Sequence, residues 1–239
     1  MKIKKNIVLL HGWGAETKKL EPLKKSLEMF GWNVFLPKLP GFENPSPKNI
    51  WGLKEYSDYV YEEAKNYFRK ENFFVFGHSF GGGIAIKLSV TNLKEISGIV
   101  LCATRGISRG SSLKRLLFSV LAKIGKVFLI VPVLANIFKK LLYKAAHEHD
   151  YEKTGGIMKE VFKKVISEDL KPLIKKSKHK TLLFWGENDR VTPISDAFYI
   201  MKALPKSTLI SYDGVGHRLP YEKPQELAKE INLWYQKLY

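Results

Sequence analysis

The sequence predicts a doubly wound α/β domain. It should have a mostly parallel six-stranded sheet, helices on both faces and a helical cap insertion. Three observations carry this expectation. Short runs of Val, Ile, Leu and Phe alternate with amphipathic helical stretches, the signature of parallel strands buried on both faces. The alternation stops between about Arg105 and His179, where helical stretches follow one another without a strand. The chain has 239 residues, 45% of them hydrophobic, enough for one large domain with a substantial core. The core is therefore expected at 1–104 and 180–239, and the cap, or lid, at 105–179.

Each element has its own signal. NIVLL (6–10) reads as a buried strand. TKKLEPLKKSLEMFG (17–31) places apolar residues at helical spacing, with Gly31 as a stop. NVFLP (33–37) is the second strand, and the Pro-, Gly- and Asn-rich LPGFENPSPKN that follows is a loop. LKEYSDYVYEEAKNYFRK is an amphipathic helix, FFVFG (73–77) the third strand, and a helix follows Ser79. ISGIVLC (96–102) is the fourth strand. The excursion contains SSLKRLLFSVLAKIGK, VFLIVPVLANIFKKLLYKAAHEHD and TGGIMKEVFKKVISEDL, all helical in pattern. KTLLFWG (180–186), a helix near 193–203, STLISYDG (207–214) and a helix from about Pro224 complete the order.

The formal net charge is +17, and it is uneven. Residues 105–180 hold 18 Lys and Arg against 6 Asp and Glu, or +12, while the rest holds 22 against 17, or +5. Two readings fit: a lysine-rich solvated surface, or peripheral contact between a basic cap and anionic membrane. Nucleic acid is not expected, because no recognition motif accompanies the charge. Cys102 is the one cysteine, so no intramolecular disulfide forms, which fits a reducing, cytoplasmic setting. The basic N-terminus leads into an apolar run of only Ile7 to Leu10 with no small-residue cleavage site, so a strand is expected there rather than a signal peptide. The lipophilic stretch Leu116 to Phe138 is broken by Lys123, Lys126 and Pro132, a poor membrane span.

Ligands of open parallel sheets bind beyond the carboxyl ends of the strands, so residues just after strands are the candidates for chemistry. Gly77-His78-Ser79-Phe80-Gly81 matches G-x-S-x-G between a strand and a helix, the setting of a nucleophile elbow. The tight turn strains the serine backbone and exposes its hydroxyl. Gly77 and Gly81 must then be small, and Gly82 and Gly83 should let the helix lie close to adjacent strands. A serine needs a base, and the base needs an orienting acid. GENDRVTP places Asp189 after one strand and DGVGHRLP places His217 after the last. Glu187 is the competing acid, disfavoured because it sits closer to the strand end. HGWG (11–14) follows the first strand, where the Trp13 N–H, together with the Phe80 N–H, would form an oxyanion hole. His11 and His78 are expected as pocket or bracing residues. His147, His149 and Asp150 in HEHD read as a solvated patch rather than a metal site.

With the elbow, HGWG, GENDRVTP and GVGHRLPYEKP in this order, the chain resembles the α/β-hydrolase superfamily, in its small cofactor-free serine esterase branch with a helical cap. The resemblance implies a Ser79–His217–Asp189 triad, an oxyanion hole from the amides of Trp13 and Phe80, and no cofactor or metal. It implies cleavage of a small-molecule carboxylic ester with a small to medium apolar acyl group, through an acyl-enzyme. Two alternatives stay open: a membrane-associated lipase or monoacylglycerol-type hydrolase, and a ligand receptor with vestigial hydrolysis. Relatives usually carry two more strands before the H-G strand; only about five residues precede it here, so an antiparallel edge is not expected. Serine at the elbow argues against the dehalogenase and epoxide hydrolase relatives, which place aspartate there.

Overall fold

The computed structural model describes residues 4–91, 94–107 and 155–239. Most of the expected cap, including HEHD and the apolar residues Leu116, Phe118, Leu121, Phe128 and Ile130, lies outside the described residues.

In chain order the elements are β1 (Asn6–Leu10), a 3-10 turn (Thr17–Leu20), α1 (Glu21–Met29), β2 (Asn33–Phe35), α2 (Leu53–Tyr67), β3 (Phe73–His78), α3 (Phe80–Thr91) and β4 (Ile96–Cys102). After the gap come α4 (Gly156–Ser167), α5 (Lys171–Ile174), β5 (Thr181–Gly186), α6 (Ser195–Ala203), β6 (Ser207–Tyr212), α7 (Leu219–Glu222) and α8 (Pro224–Leu238). The six strands form one sheet in the order β2-β1-β3-β4-β5-β6. Every pairing is parallel, so the antiparallel edge is absent among the described residues, as expected.

The continuous apolar strands are explained by burial on both faces. Val8, Leu10, Val75, Ile99, Leu101, Leu183 and Trp185 enter one core, with α2, α3, α4 and α6. Their neighbours Ile7, Leu9, Phe74, Phe76, Val100, Leu182 and Phe184 enter the other, with α1, α7 and α8. Successive strand side chains point to opposite faces, so each strand feeds both cores. α3 is buried almost all round from Phe80 to Leu88, as a helix without a polar face must be.

Two boundaries differ from the expected ones. The helix expected over 17–31 is a 3-10 turn followed by α1, because Pro22 lacks the N–H that an upstream helix would need and suits a helix start. Gly31 then ends it with φ 78°. The second strand stops at Phe35, its last partner being Val8, shortly before Pro37, which has no N–H to pair. The described C-terminal part of the expected insertion packs on the rest of the fold. Met158, Val161, Val165, Leu170 and Ile174 join the core, and the Glu168 carboxylate accepts the Leu53 N–H at the start of α2 (2.8 Å).

The strand order reverses between β1 and β3. Crossovers leave in opposite directions there, opening a crevice at the carboxyl ends. HGWG and the Ser79 turn sit on either side of it.

Candidate active site

Ser79 has φ 52°, the left-handed conformation that costs a non-glycine residue about 1–2 kcal/mol. Surrounding bonds hold it there. Its N–H donates to Cys102 O (3.0 Å), and its carbonyl accepts the N–H groups of Gly82, Gly83 and Arg105 (3.1, 3.3 and 3.2 Å). A Cβ on Gly77 would overlap the backbone of Gly81 and Gly82, and one on Gly81 would stand 2.7 Å from the carbonyl carbon of Leu10 in β1. The Gly81 N–H also donates to His11 O (3.2 Å), which joins the elbow to the HGWG loop. Gly81→Ala should therefore part β1 from α3 and lower stability by about 1–3 kcal/mol, read as a fall in Tm. An unchanged Tm would mean the β1 backbone yields freely. Gly82 faces the Thr104 side chain just past β4, as expected for close strand contact, but Gly83 faces Leu53 of α2 and Leu170 instead of a strand.

Asp189 and His217 come together. The His217 Nδ1–H donates to Asp189 Oδ2 (2.8 Å), and the Asp189 side chain has no exposed surface. Oδ1 accepts the N–H groups of Val191 (2.8 Å) and Thr192 (2.9 Å). The Thr192 hydroxyl lies 2.8 Å from Oδ2, 3.0 Å from Ala103 O and 3.2 Å from His217 Nδ1. Burial pushes the Asp189 pKa up, but the hydrogen bond and charge of His217 and the Thr192 donors outweigh it, so the net shift is below the ordinary 3.8. The acid loop is fixed from beneath: the buried Trp185 Nε1–H donates to Thr192 O (2.6 Å), and the Asn188 N–H donates to Val215 O on the histidine loop (2.9 Å). Glu187, the competing acid, turns to the surface and accepts the Ser211 hydroxyl (2.7 Å).

Ser79 lies on the adjacent elbow, 8% exposed. Among the described residues its hydroxyl makes no hydrogen bond, to His217 or to any other group.

HGWG is held tightly. The Gly12 carbonyl accepts the His11 Nδ1–H (2.8 Å) and the Ala15 N–H (3.2 Å). In a trans peptide the N–H leaves opposite to the carbonyl, so fixing Gly12 O fixes the direction of the Trp13 N–H. The Phe80 N–H opens α3 and has no acceptor among the described residues, as befits a first-turn amide. The Trp13 ring packs on Phe42, Phe80 and Phe162 at 5.0, 5.2 and 4.9 Å between centroids, making an apolar wall from four separate segments.

The two histidines expected at a pocket are both turned to protein partners. His11 has no exposed surface and braces its own loop. His78 is 3% exposed; its rings and nitrogens face His217 and Tyr221. Sequence reasoning missed Thr192 and Tyr221. Thr192 had a signal, since an Asp three residues before a Thr is the spacing at which a carboxylate captures turn amides. Tyr221 had none. Among the described residues no cluster of His, Cys, Asp and Glu is placed to hold a metal, and no helix is long and apolar enough to cross a membrane.

The family described as serine aminopeptidase, S33, matches residues 1–224. The chain belongs to this family, and its fold is that of the α/β hydrolases. The uncharacterized hydrolase YugF of Bacillus subtilis is 26% identical over 170 residues, 65% of this chain and 62% of that protein, so the match spans less than two thirds of YugF. Lipase 3 of Moraxella sp. (strain TA144) is 22% identical over 239 residues, 94% of this chain and 75% of the lipase. Among solved structures, a thermophilic esterase from Thermogutta terrifontis superposes with TM-score 0.72 at 18% identity, covering 99% of this chain and 91% of that one. At that identity the likeness speaks for the fold.

Proposed function

We propose that this hydrolase is a serine esterase that cleaves carboxylic esters of small to medium apolar acyl groups, through a Ser79–His217–Asp189 triad and an acyl-enzyme. One observation carries the reading: His217 is hydrogen-bonded at 2.8 Å to a carboxylate with no exposed surface, and its carbonyl meets His78 of the elbow, where the strained Ser79 has a hydroxyl that makes no hydrogen bond among the described residues.

The geometry supports the following roles. Asp189 can only accept, so it keeps the His217 proton on Nδ1 and leaves Nε2 as the basic nitrogen. The Ser79 oxygen attacks the ester carbonyl carbon while its proton passes to Nε2. The former carbonyl oxygen becomes an oxyanion, bound by the Trp13 and Phe80 N–H groups. Collapse expels the alcohol, which takes the proton from Nε2. Water then gives a proton to Nε2, attacks the acyl carbon, and returns Ser79 with release of the acid. The aromatic wall of Trp13, Phe42, Phe80 and Phe162 supports an apolar acyl group, since such walls favour apolar ligands. Although the family's description names an aminopeptidase, an ester rather than a peptide is favoured because Lipase 3 of Moraxella sp. is named as a lipase.

Fluorophosphonate labelling mapped by mass spectrometry, with a panel of p-nitrophenyl esters from acetate to palmitate, tests both parts. Label on Ser79 and faster turnover of the shorter esters are expected. No label on Ser79 would sink the mechanism, and turnover confined to palmitate would sink the acyl preference.

A further inference from the structure

His78 is a buried, titratable group that the triad does not use. Its Nε2 lies 2.9 Å from the backbone carbonyl of His217, and its Nδ1 lies 3.1 Å from the Tyr221 hydroxyl. A carbonyl only accepts, so Nε2 carries the hydrogen; in a neutral ring Nδ1 is then the acceptor, and Tyr221 donates to it. The ring is neutral: burial, then the neighbouring His217 charge, pushes its pKa down to about 3. Tyr221 stays protonated, its pKa pushed up by burial to about 12.

The residues linked are informative. His78 is the chain neighbour of Ser79, whereas His217 and Tyr221 are the two ends of one turn, closed by the Tyr221 N–H to Arg218 O bond (2.9 Å). The His78 ring is thus gripped at both ends of the turn that carries the base, at centroid distances of 5.0 Å from His217 and 5.2 Å from Tyr221. HGWG closes the arrangement from the other side: a Cβ on Gly12 would come within 3.0 Å of His78 Nδ1. The base is therefore anchored twice, at its ring by Asp189 and at its own carbonyl by the residue preceding the nucleophile. A leucine could fill the same volume, yet the site holds two polar rings, which cost free energy to bury unless every polar atom is paired.

We propose that His78 and Tyr221 are positioning residues for His217, setting the distance between base and nucleophile by pinning the turn 217–221 to the elbow. This inference rests on the triad reading above. A misplacement of about 1 Å at a reacting group can cost about 10²-fold in rate.

The test uses p-nitrophenyl butyrate turnover, expressed per active site by fluorophosphonate titration, for native protein, Tyr221→Phe, His78→Leu and His78→Gln. Tyr221→Phe removes one oxygen from a ring that stays packed; kcat per titrated site should fall about ten-fold with KM within about two-fold. His78→Leu should fall further, about 10²-fold. His78→Gln should recover part of that loss, because its amide N–H reaches the His217 carbonyl where Nε2–H does. A purely structural role would lower the titrated fraction and the Tm but leave kcat per site unchanged. Native-like kcat per site in Tyr221→Phe overturns the inference, and that variant decides if the His78 variants fail to fold. Absence of label on Ser79 in the native protein overturns the triad reading instead, and the inference with it.

Discussion

Replacing Ser79 with alanine is expected to lower kcat for ester hydrolysis by about 10⁶-fold, equivalent to about 8 kcal/mol of transition-state stabilisation, and to leave the fold intact. The two halves of this expectation have separate causes. The rate falls because the acyl-enzyme needs an oxygen nucleophile that an alanine methyl cannot supply. The fold survives because the Ser79 hydroxyl bonds to no described group, so its loss orphans no buried partner. The positive φ is a cost that any residue with a Cβ bears there, and alanine bears about the same cost as serine. Tm should therefore shift by no more than about 2 °C. Turnover assays and thermal unfolding on the same preparation read both. A variant that keeps more than about a hundredth of native kcat would remove Ser79 from the nucleophile's role.

This contrast between Ser79 and its flanking glycines shows what sequence makes legible. G-x-S-x-G is readable because the strain is local: Gly77 must clear Gly81, four residues away, and the serine φ follows from the turn itself. The strands were readable for a similar reason, since burial on both faces writes itself as an unbroken apolar run. The positions of Ser79, Asp189 and His217 at strand ends were readable because each follows its own strand. Tyr221 was not, because its partner His78 lies 143 residues away, and nothing near Tyr221 reports that distance. The wall around Trp13 was equally hidden, since Phe42, Phe80 and Phe162 come from a loop and two helices that only the fold brings together. The end of the second strand and the split before Pro22 were misjudged because hydrophobic periodicity continues past the points where a proline stops the backbone hydrogen bonds.

Asp189→Asn should lower kcat by about 10⁴-fold with little change in KM, and the reason is a forced tautomer. The Oδ1 position receives two backbone N–H groups, from Val191 and Thr192. An asparagine must place its carbonyl oxygen there, because an NH₂ facing two donors would leave them unpaired at about 1–3 kcal/mol each. Its NH₂ then occupies the Oδ2 position, facing His217 Nδ1. A donor facing Nδ1 drives the imidazole proton to Nε2, and a protonated Nε2 cannot take the proton of Ser79. The same substitution changes how stability depends on acid. The folded Asp189 pKa lies below its ordinary 3.8, so the stabilisation from the ionised carboxylate is complete above that value. It is lost as pH falls through the lowered folded pKa. The stability difference between native protein and Asp189→Asn should therefore be flat above pH 3.8 and shrink only below it. Denaturant titrations across that range read the difference, and kcat near native in the asparagine variant would show that Asp189 does not set the tautomer of His217.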